Sequence, residues 1–569
     1  MVSLGIDIGG TGCKCVAFNE EGLQLALAYR EYPLAPGTVD LPPEVMMESV
    51  MDVIRGCVDG LEKPSEVRCI TVSSFGESFI AVDEDGRPVC ESMPTYLADT
   101  SNCEFFSLVD AFGKERMMRI CRLMPDAYYS LSKILHTQKT APVPVGKYLF
   151  VASYVCFRLC GACVTDPSLA CRGLLYDVEK GRWSEEILDA AGILPTQLPE
   201  IVPTGTVAGS LLPEVASRLN LGADVQVLIG AHDQIVNALG SGISRLGQAV
   251  DNSGTVECIT PLFAALPENM LFHEENYCCS PYLDKGYVTF AYNISAGTSV
   301  RWFRDAFGMG YDELNRLCPG EPTDLMVLPF LQGMGGTPDM DQSATGAVLG
   351  LTTSTRRPDL YRALLEGITF EMRYNQEKIG GHGIRFDSLF ACGGGARSDA
   401  WMQIKADILG CRMVRVDTKE TGALGSAILG ISAMTGEDPF SLAQKCVHYG
   451  EEFTPDPLRA RIYDERYDLY KQLRNLHKGI RIKRYNLCSI HTSAMRANSA
   501  PLRRYASREA KVMGCALCKS EMLQDWRLPF LPTGQRIFPA SFSRATTWAI
   551  SRPAAMWLPP ITTRTESAS

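Results

Sequence analysis

Leu4-Gly5-Ile6-Asp7-Ile8-Gly9-Gly10-Thr11-Gly12-Cys13-Lys14 is an apolar strand that carries one carboxylate and then breaks into glycines. A carboxylate inside such a strand costs several kcal/mol unless something binds it. Glycines directly after it let the backbone turn tightly and bring N–H groups close to an anion. Apolar alternation resumes in Cys13-Lys14-Cys15-Val16-Ala17-Phe18, so the glycines form a hairpin tip. Gly22 marks a second turn before Leu23-Gln24-Leu25-Ala26-Leu27. Strand, glycine hairpin, strand, turn, strand is a poor match to the phosphate loops that open a helix. It suits a hairpin that grips nucleotide phosphates, with Asp7 facing their metal ion. The plain alternative is a glycine-rich turn beside a solvated Asp, and this segment alone does not decide between the two.

Helical spacing of Val45, Met46, Val50, Val53, Ile54 and Val58 predicts a helix from Glu44 to Gly60. Strands are predicted at 69–72 and 79–83, giving a mixed sheet with helices packed on it. The pattern resets in mid-chain. Val225–Gly230 reads as a buried strand ending in Ala231-His232-Asp233-Gln234, followed by a helix through Leu239. Ala249–Thr260 then forms a second strand–glycine–strand hairpin, around Gly254-Thr255. This echoes the arrangement around Asp7, as an internal duplication of one fold does. Residues 360–379 are predicted as a helix, 388–392 as a strand and 399–409 as a helix. Ala423–Met434 reads as a small-residue helix suited to close packing.

A chain of 569 residues is too long for one core and implies two to four domains. Its composition, 46% hydrophobic and 21% charged, is ordinary for a soluble globular enzyme. No stretch approaches the ~18 uninterrupted apolar residues of a membrane span. The N-terminus enters a strand at once, with no basic flank or apolar signal segment, so the chain reads as cytoplasmic. The 21 cysteines are scattered singly through apolar runs, as at Cys15, Cys69, Cys156, Cys258 and Cys392, and read as small core residues. Residues 481–569 hold 14 Lys+Arg against 4 Asp+Glu, so the overall net charge of −10 understates how acidic the body is. An acidic body gives no support for nucleic-acid binding. After about residue 480 periodicity disappears. That tail reads as a low-order segment, disordered or even an out-of-frame reading of the gene, and its Cys515-Ala516-Leu517-Cys518 as two incidental cysteines.

Three glycine-bounded sites must converge for a nucleotide site to exist. The first is Asp7 to Lys14. The second pairs the Gly254-Thr255 turn with Asp233, at the C-terminal end of a buried strand where α/β sheets place ligand-binding groups. A carboxylate there can take a proton from a hydroxyl or hold metal; the plain alternative is that it caps the following helix. The third is Gly393-Gly394-Gly395-Ala396-Arg397-Ser398-Asp399, between strand and helix, where a flat ring or a phosphate can approach the backbone. Three such sites, each after a buried strand, are harder to explain as packing than any one alone.

In order and wording these motifs resemble the FGGY family of carbohydrate kinases, within the actin, heat-shock ATPase and sugar kinase superfamily, over roughly residues 3–475. Gly346-Ala347-Val348-Leu349-Gly350-Leu351, then seven residues, then Asp359–Glu366 is similar to the family's C-terminal signature. Ala231-His232-Asp233-Gln234 resembles the segment whose Asp is the catalytic base. Gly393–Ser398 and Trp401–Asp407 resemble the adenosine-binding stretch, and Thr165–Ala170 also has a counterpart. The sugar half departs from the pattern. Lys133 is followed by His136 where a Trp is expected, Tyr96–Ser101 keeps Asp99 but loses an Arg, and Gly76-Glu77-Ser78-Phe79 stands where xylulokinases often carry Gln-Met-His.

The resemblance implies an α/β protein of two ribonuclease-H-like domains around a central cleft: residues 1–245 on the sugar and phosphate side, 246–478 on the adenosine side, and the tail 479–569. It implies ATP-dependent phosphorylation of a sugar hydroxyl, with a pentulose such as xylulose as first choice. Another ketose, a polyol or an aldonate (ribulose, glycerol, gluconate) and a catalytically silent sugar-responsive regulator are the alternatives. Asp233 would be the general base, and Asp7 and Asp233 would hold Mg²⁺. ATP would lie on Gly9, Gly10, Thr11, Gly12, Lys14, Gly254, Thr255, Gly393, Gly394, Gly395, Ala396, Ser398 and Gln403. The sugar would meet Gly76, Glu77, Ser78, Asp99, His232 and Asp233. Asp7 and Asp233 are expected to come from opposite halves of the clamshell and meet at one triphosphate. No nucleic-acid or membrane partner is expected, and a homodimer is left open.

Overall fold

Apolar alternation on both sides of the Gly9–Gly12 break makes Val2–Ile8 (β1) and Gly12–Asn19 (β2) an antiparallel pair, with Asp7 opposite Lys14. The structure, a computed structural model, describes residues 1–35, 38–95 and 103–477. Asp99 and the tail from residue 479, with Cys515 and Cys518, lie outside the described residues. Gln24–Glu31 (β3) adds antiparallel to β2. The helix Pro43–Asp59 (α1) then crosses over, burying Met46, Val50, Val53, Ile54 and Val58 as the helical spacing requires. It delivers Val67–Ser74 (β4) parallel to β1. Val207–Ser210 (β5) and Gln226–His232 (β6) complete a six-stranded sheet in the order β5-β6-β4-β1-β2-β3, with β6 parallel to β4. The helix Asp233–Gly240 (α2) follows β6 directly.

A second sheet, of eight strands, repeats this plan. Gln248–Ser253 (β7) and Glu257–Phe263 (β8) form its antiparallel hairpin, with Ala291–Asn293 (β9) on β8. The helices Gly297–Phe307 (α3), Tyr311–Leu317 (α4) and Arg357–Gly381 (α5) intervene. Ser388–Cys392 (β10) then runs parallel to β7. After the helix Asp399–Leu409 (α6), Arg412–Val416 (β11) runs parallel to β10. The helix Thr421–Thr435 (α7), the antiparallel strand Tyr449–Phe453 (β12) and the helix Pro457–His477 (α8) end the described chain. In each sheet a hairpin leads, two parallel strands follow and an antiparallel strand closes one edge. That is the internal duplication expected from the sequence.

The helix α7 belongs to the second repeat by sequence but packs on β1, β4 and α2 of the first. Its small residues permit this. A Cβ on Gly5 would lie 2.0 Å from the Ala423 carbonyl oxygen, and one on Gly425 would lie 1.8 Å from that of Val236. Polar groups at the contact are paired: Ser3 Oγ donates to the Ala427 carbonyl at 3.1 Å, and the Ser73 and Ser426 hydroxyls lie 2.8 Å apart. All cysteines among the described residues are free, and most are buried in apolar surroundings. Among the described residues no helix is long and apolar enough to cross a membrane.

Candidate active site

Because β1 and β6 both run parallel to β4, their C-terminal ends emerge at one edge of the first sheet. Asp7 pairs in register with Ser73 and His232 with Ser74, so two strand spacings, about 10 Å, separate their backbones. This corrects one expectation. Asp7 and Asp233 do not come from opposite halves; both hang from the first sheet and share its cleft edge. The direction of β6, set by its pairing with β4, decides this.

Asp7 is not solitary. Lys14 Nζ lies 3.2 Å from Asp7 Oδ2 and 2.9 Å from Glu420 Oε2, just ahead of α7. A Cβ on Gly422 would touch Asp7 Oδ2 at 3.4 Å, so the first turn of α7 abuts the carboxylate. The hairpin closes by Gly9 N–H donating to the Gly12 carbonyl at 2.9 Å, and the Tyr32 hydroxyl fixes the Gly9 carbonyl at 3.1 Å. Thr11 at the tip is exposed.

Asp233 is the first residue of α2, but the cap is His232, whose Nδ1 accepts from Gln234 N–H at 3.3 Å. The plain capping role is thus already filled. Asp233 Oδ1 is buried, lies 3.1 Å from His232 Nδ1 and accepts no hydrogen bond, although a third of the side chain opens to the cleft. Burial, and next the charge of Asp7, push its carboxyl up to about 7. Burial pulls the neighbouring His232 down to about 4, so this imidazole is neutral near pH 7. Its ring stacks on Phe290 at 5.5 Å.

Beside these lies the bend Gly76–Ser78, leading from β4 to the strand Phe79–Val82. Glu77 is buried at φ 63°, a left-handed conformation uncommon for a non-glycine residue. Its carboxylate is held by Arg172, whose Nε donates to Glu77 Oε1. The Arg172 guanidinium also lies over the Tyr129 ring at 5.1 Å and the Phe290 ring at 5.6 Å. A Cβ on Gly76 would meet Arg172 Cγ at 2.8 Å and His232 Cδ2 at 2.9 Å, so Gly76 permits this packing. The Ser78 hydroxyl is buried without a partner. Burial lowers the Lys133 ammonium to about 8 against the pull of Glu77.

The other two glycine sites meet in a pocket of about 460 Å³ lined by Ser253, Gly254, Thr255, Gly394, Gly395, Ser398 and Trp401. Gly393 turns at φ 84° with Ser253 O only 2.8 Å from where its Cβ would be. Ala396 is buried behind the turn, and its carbonyl accepts from Arg415 Nε at 2.8 Å. Gln403 does not line this pocket. Its amide donates to Asp407 Oδ1 at 2.7 Å and to the Thr454 carbonyl at 2.9 Å, on another face of α6. Sequence reasoning missed Arg301, Tyr311, Asp312, Asn315 and Tyr361, which close the opposite wall. Asn315 is tied across it, accepting from Ser398 Oγ at 2.8 Å and from Tyr361 at 3.2 Å.

A duplicated hairpin-led sheet, a carboxylate edge and a glycine-walled pocket define a two-lobed enzyme of the actin, heat-shock ATPase and sugar kinase class. Residues 2–240 match the model of the FGGY carbohydrate kinase N-terminal domain, and residues 285–434 that of the C-terminal domain. The chain belongs to the FGGY family of carbohydrate kinases. It is 28% identical over 492 residues to the xylulose kinase of Lactococcus lactis subsp. lactis (strain IL1403), covering 83% of this chain and 96% of that protein. It is 28% identical over 449 residues to the glycerol kinase of Thermococcus onnurineus (strain NA1), covering 75% and 88% respectively. The ligand-bound xylulose kinase structure from Lactobacillus acidophilus superposes with a TM-score of 0.76 at 22% identity, covering 84% of this chain and 98% of that one.

Proposed function

We propose that this carbohydrate kinase moves the terminal phosphoryl group of ATP onto a hydroxyl of a pentulose such as xylulose. The observation that carries this reading is Asp233, whose buried Oδ1 accepts no hydrogen bond and lies against His232 Nδ1 at 3.1 Å, on the same sheet edge as Asp7 and the Gly9–Gly12 hairpin. Asp233 accepts the proton of the attacking hydroxyl, the hydroxyl oxygen bonds to phosphorus, and ADP leaves with the bridging oxygen. Such a transfer needs little covalent help, so positioning and charge stabilisation dominate. Gly9–Gly12 and Gly254-Thr255 offer backbone to the phosphates from the two lobes, and Lys14 offers an ammonium. Adenosine suits the 460 Å³ pocket against Trp401.

Asp7 fits a magnesium ion, which takes one or two carboxylates and otherwise keeps water and phosphate oxygens. The ion would neutralise charge on the transferring group. Asp233 is assigned to the proton rather than to the metal, because its raised carboxyl suits a group that must exchange a proton near neutrality. Glu77, Ser78 and His232 are assigned to the acceptor sugar. The lobes are proposed to divide at 245/246, between α2 and β7.

A second reading has one observation in its favour. Two buried cations, Arg172 and Lys133, stand beside one buried carboxylate, Glu77, the other acid acting on Lys133 being the exposed Asp126, and this favours an acceptor bearing its own carboxylate, such as an aldonate. ADP release over pentuloses, hexuloses, polyols and aldonates decides between them. Acceptor-dependent release that disappears in Asp233→Ala supports the kinase reading, and the preferred acceptor fixes the class. Sugar binding without release on any acceptor would point to a regulator instead.

A further inference from the structure

Behind the nucleotide pocket lies a buried charge cluster that the reaction above does not use. Asp251 and Ser253 alternate on β7 and therefore share a face, and Glu257 stands directly opposite Ser253 in the hairpin register. The helix α6 covers that face and aims Lys405 at all three. Its Nζ lies 2.5 Å from Asp251 Oδ2, 2.5 Å from Ser253 Oγ and 2.7 Å from Glu257 Oε1. Asp251 and Glu257 are fully buried and Lys405 is 1% exposed. The ammonium also lies 4.6 Å from the centroid of the Trp401 ring, one helical turn earlier on α6.

Two carboxylates and one ammonium sealed from water leave one charge unbalanced. Burial pushes the Glu257 carboxyl up to about 7, against the pull of Lys405 and with the repulsion of Asp251. Glu257 Oε1 meets the Lys405 ammonium at 2.7 Å, and its Oε2 has no hydrogen-bond partner. Such a cluster is poor evidence for stability, because apolar residues of similar volume do as well or better. Its placement is informative. Ser253 and Trp401, both held by Lys405, are two walls of the pocket. Ser253 is also where the hairpin meets the glycine turn, since a Cβ on Gly395 would lie 2.6 Å from Ser253 Cβ.

We propose that Lys405 is a positioning residue for the nucleotide, clamping the β7–β8 hairpin tip and the Trp401 ring in register with the Gly393–Gly395 turn. The inference rests on the reading of this pocket as the nucleotide site. It places the nucleotide's positioning in the hydrogen bonds from Lys405 to Ser253 and Asp251, neither of which touches the ligand.

The test is calorimetric titration of the full chain with Mg-ADP, alongside thermal melts. Two variants are compared with the wild type: Lys405→Met, and the apolar triple variant Lys405→Met/Asp251→Leu/Glu257→Met. Lys405→Met orphans two buried carboxylates and is expected to lower the melting temperature. The triple variant is expected to melt at or above the wild-type temperature yet to bind ADP about tenfold more weakly or worse. A triple variant with wild-type ADP affinity overturns the inference, because the cluster would then be packing alone. A triple variant that melts well below the wild type overturns it too, since the charges would then hold the fold itself. A wild type that binds no ADP removes the nucleotide reading of the pocket, and this inference with it; wild-type binding with an unaffected triple variant removes only the inference.

Discussion

Asp233 must be ionised when an acceptor hydroxyl arrives, yet it sits where ionisation is unfavourable, beside Asp7 and largely out of water. The sign of the consequence follows from linkage. A carboxyl raised from 3.8 to about 7 binds more protons folded than unfolded across that window, so the wild type loses stability as pH rises through it. Asp233→Asn carries no such group. The melting-temperature gap in favour of Asp233→Asn should therefore open between pH 4 and 7 and stay level above. Activity moves the other way: kcat/KM for the acceptor should climb through about pH 7 in the wild type and be lost in the variant. A gap that does not vary with pH would mean that the carboxylate is hydrated rather than buried.

The close approach of α7 to both β1 and α2 makes the glycines of these elements sensitive to single methyl groups. A Cβ on Gly425 would sit 1.8 Å from the Val236 carbonyl, and one on Gly240 would sit 1.9 Å from that of Thr421. These obstacles are backbone, not flexible side-chain ends, so the helices must part. Gly425→Ala is expected to destabilise by about 1–3 kcal/mol or more, read as a lower urea midpoint with an unchanged slope. The helix α8 packs through the buried Tyr463, Tyr467 and Tyr470 and adds a buried ion pair. Arg474, fully buried, donates to both oxygens of Glu371 on α5 and to Asp339 at 2.8 Å, and Tyr470 donates to Glu371 at 2.6 Å. Arg474→Met would leave that carboxylate buried without its cation, at a cost of about 3–5 kcal/mol. Adding Glu371→Gln should return part of the loss, and strict additivity in this double-mutant cycle would contradict the pairing.

At the scale of the molecule, what could be read from the sequence was local. Strand–glycine–strand runs declare a hairpin within a dozen residues, so Gly9–Gly12, Gly254-Thr255 and the Asp399–Leu409 helix stand where expected. Asp7 and Asp233 stood out because a charge at the end of an apolar strand has few plain explanations. What could not be read was set by pairing across distance. The edge from which Asp233 emerges depends on β6 joining β4, and Glu77 meets Arg172 across 95 residues. Asn315 carries no local motif, and a lysine in an amphipathic helix such as α6 reads as solvated, not as the sealed Lys405.

The same non-locality decides how the chain unfolds. By sequence α7 is part of the second repeat, yet it covers Ser3, Gly5 and Ser73 of the first sheet, and a Cβ on Gly430 would meet Ser3 Oγ at 2.5 Å. A fragment ending at residue 245 would uncover that face and leave an apolar groove open to water. Such a fragment is expected to show no cooperative melt, while the full chain unfolds in one transition with secondary-structure and fluorescence probes coincident. Two separate transitions, or a fragment 1–245 that melts sharply, would mean that α7 is a removable cover and that the lobes fold independently.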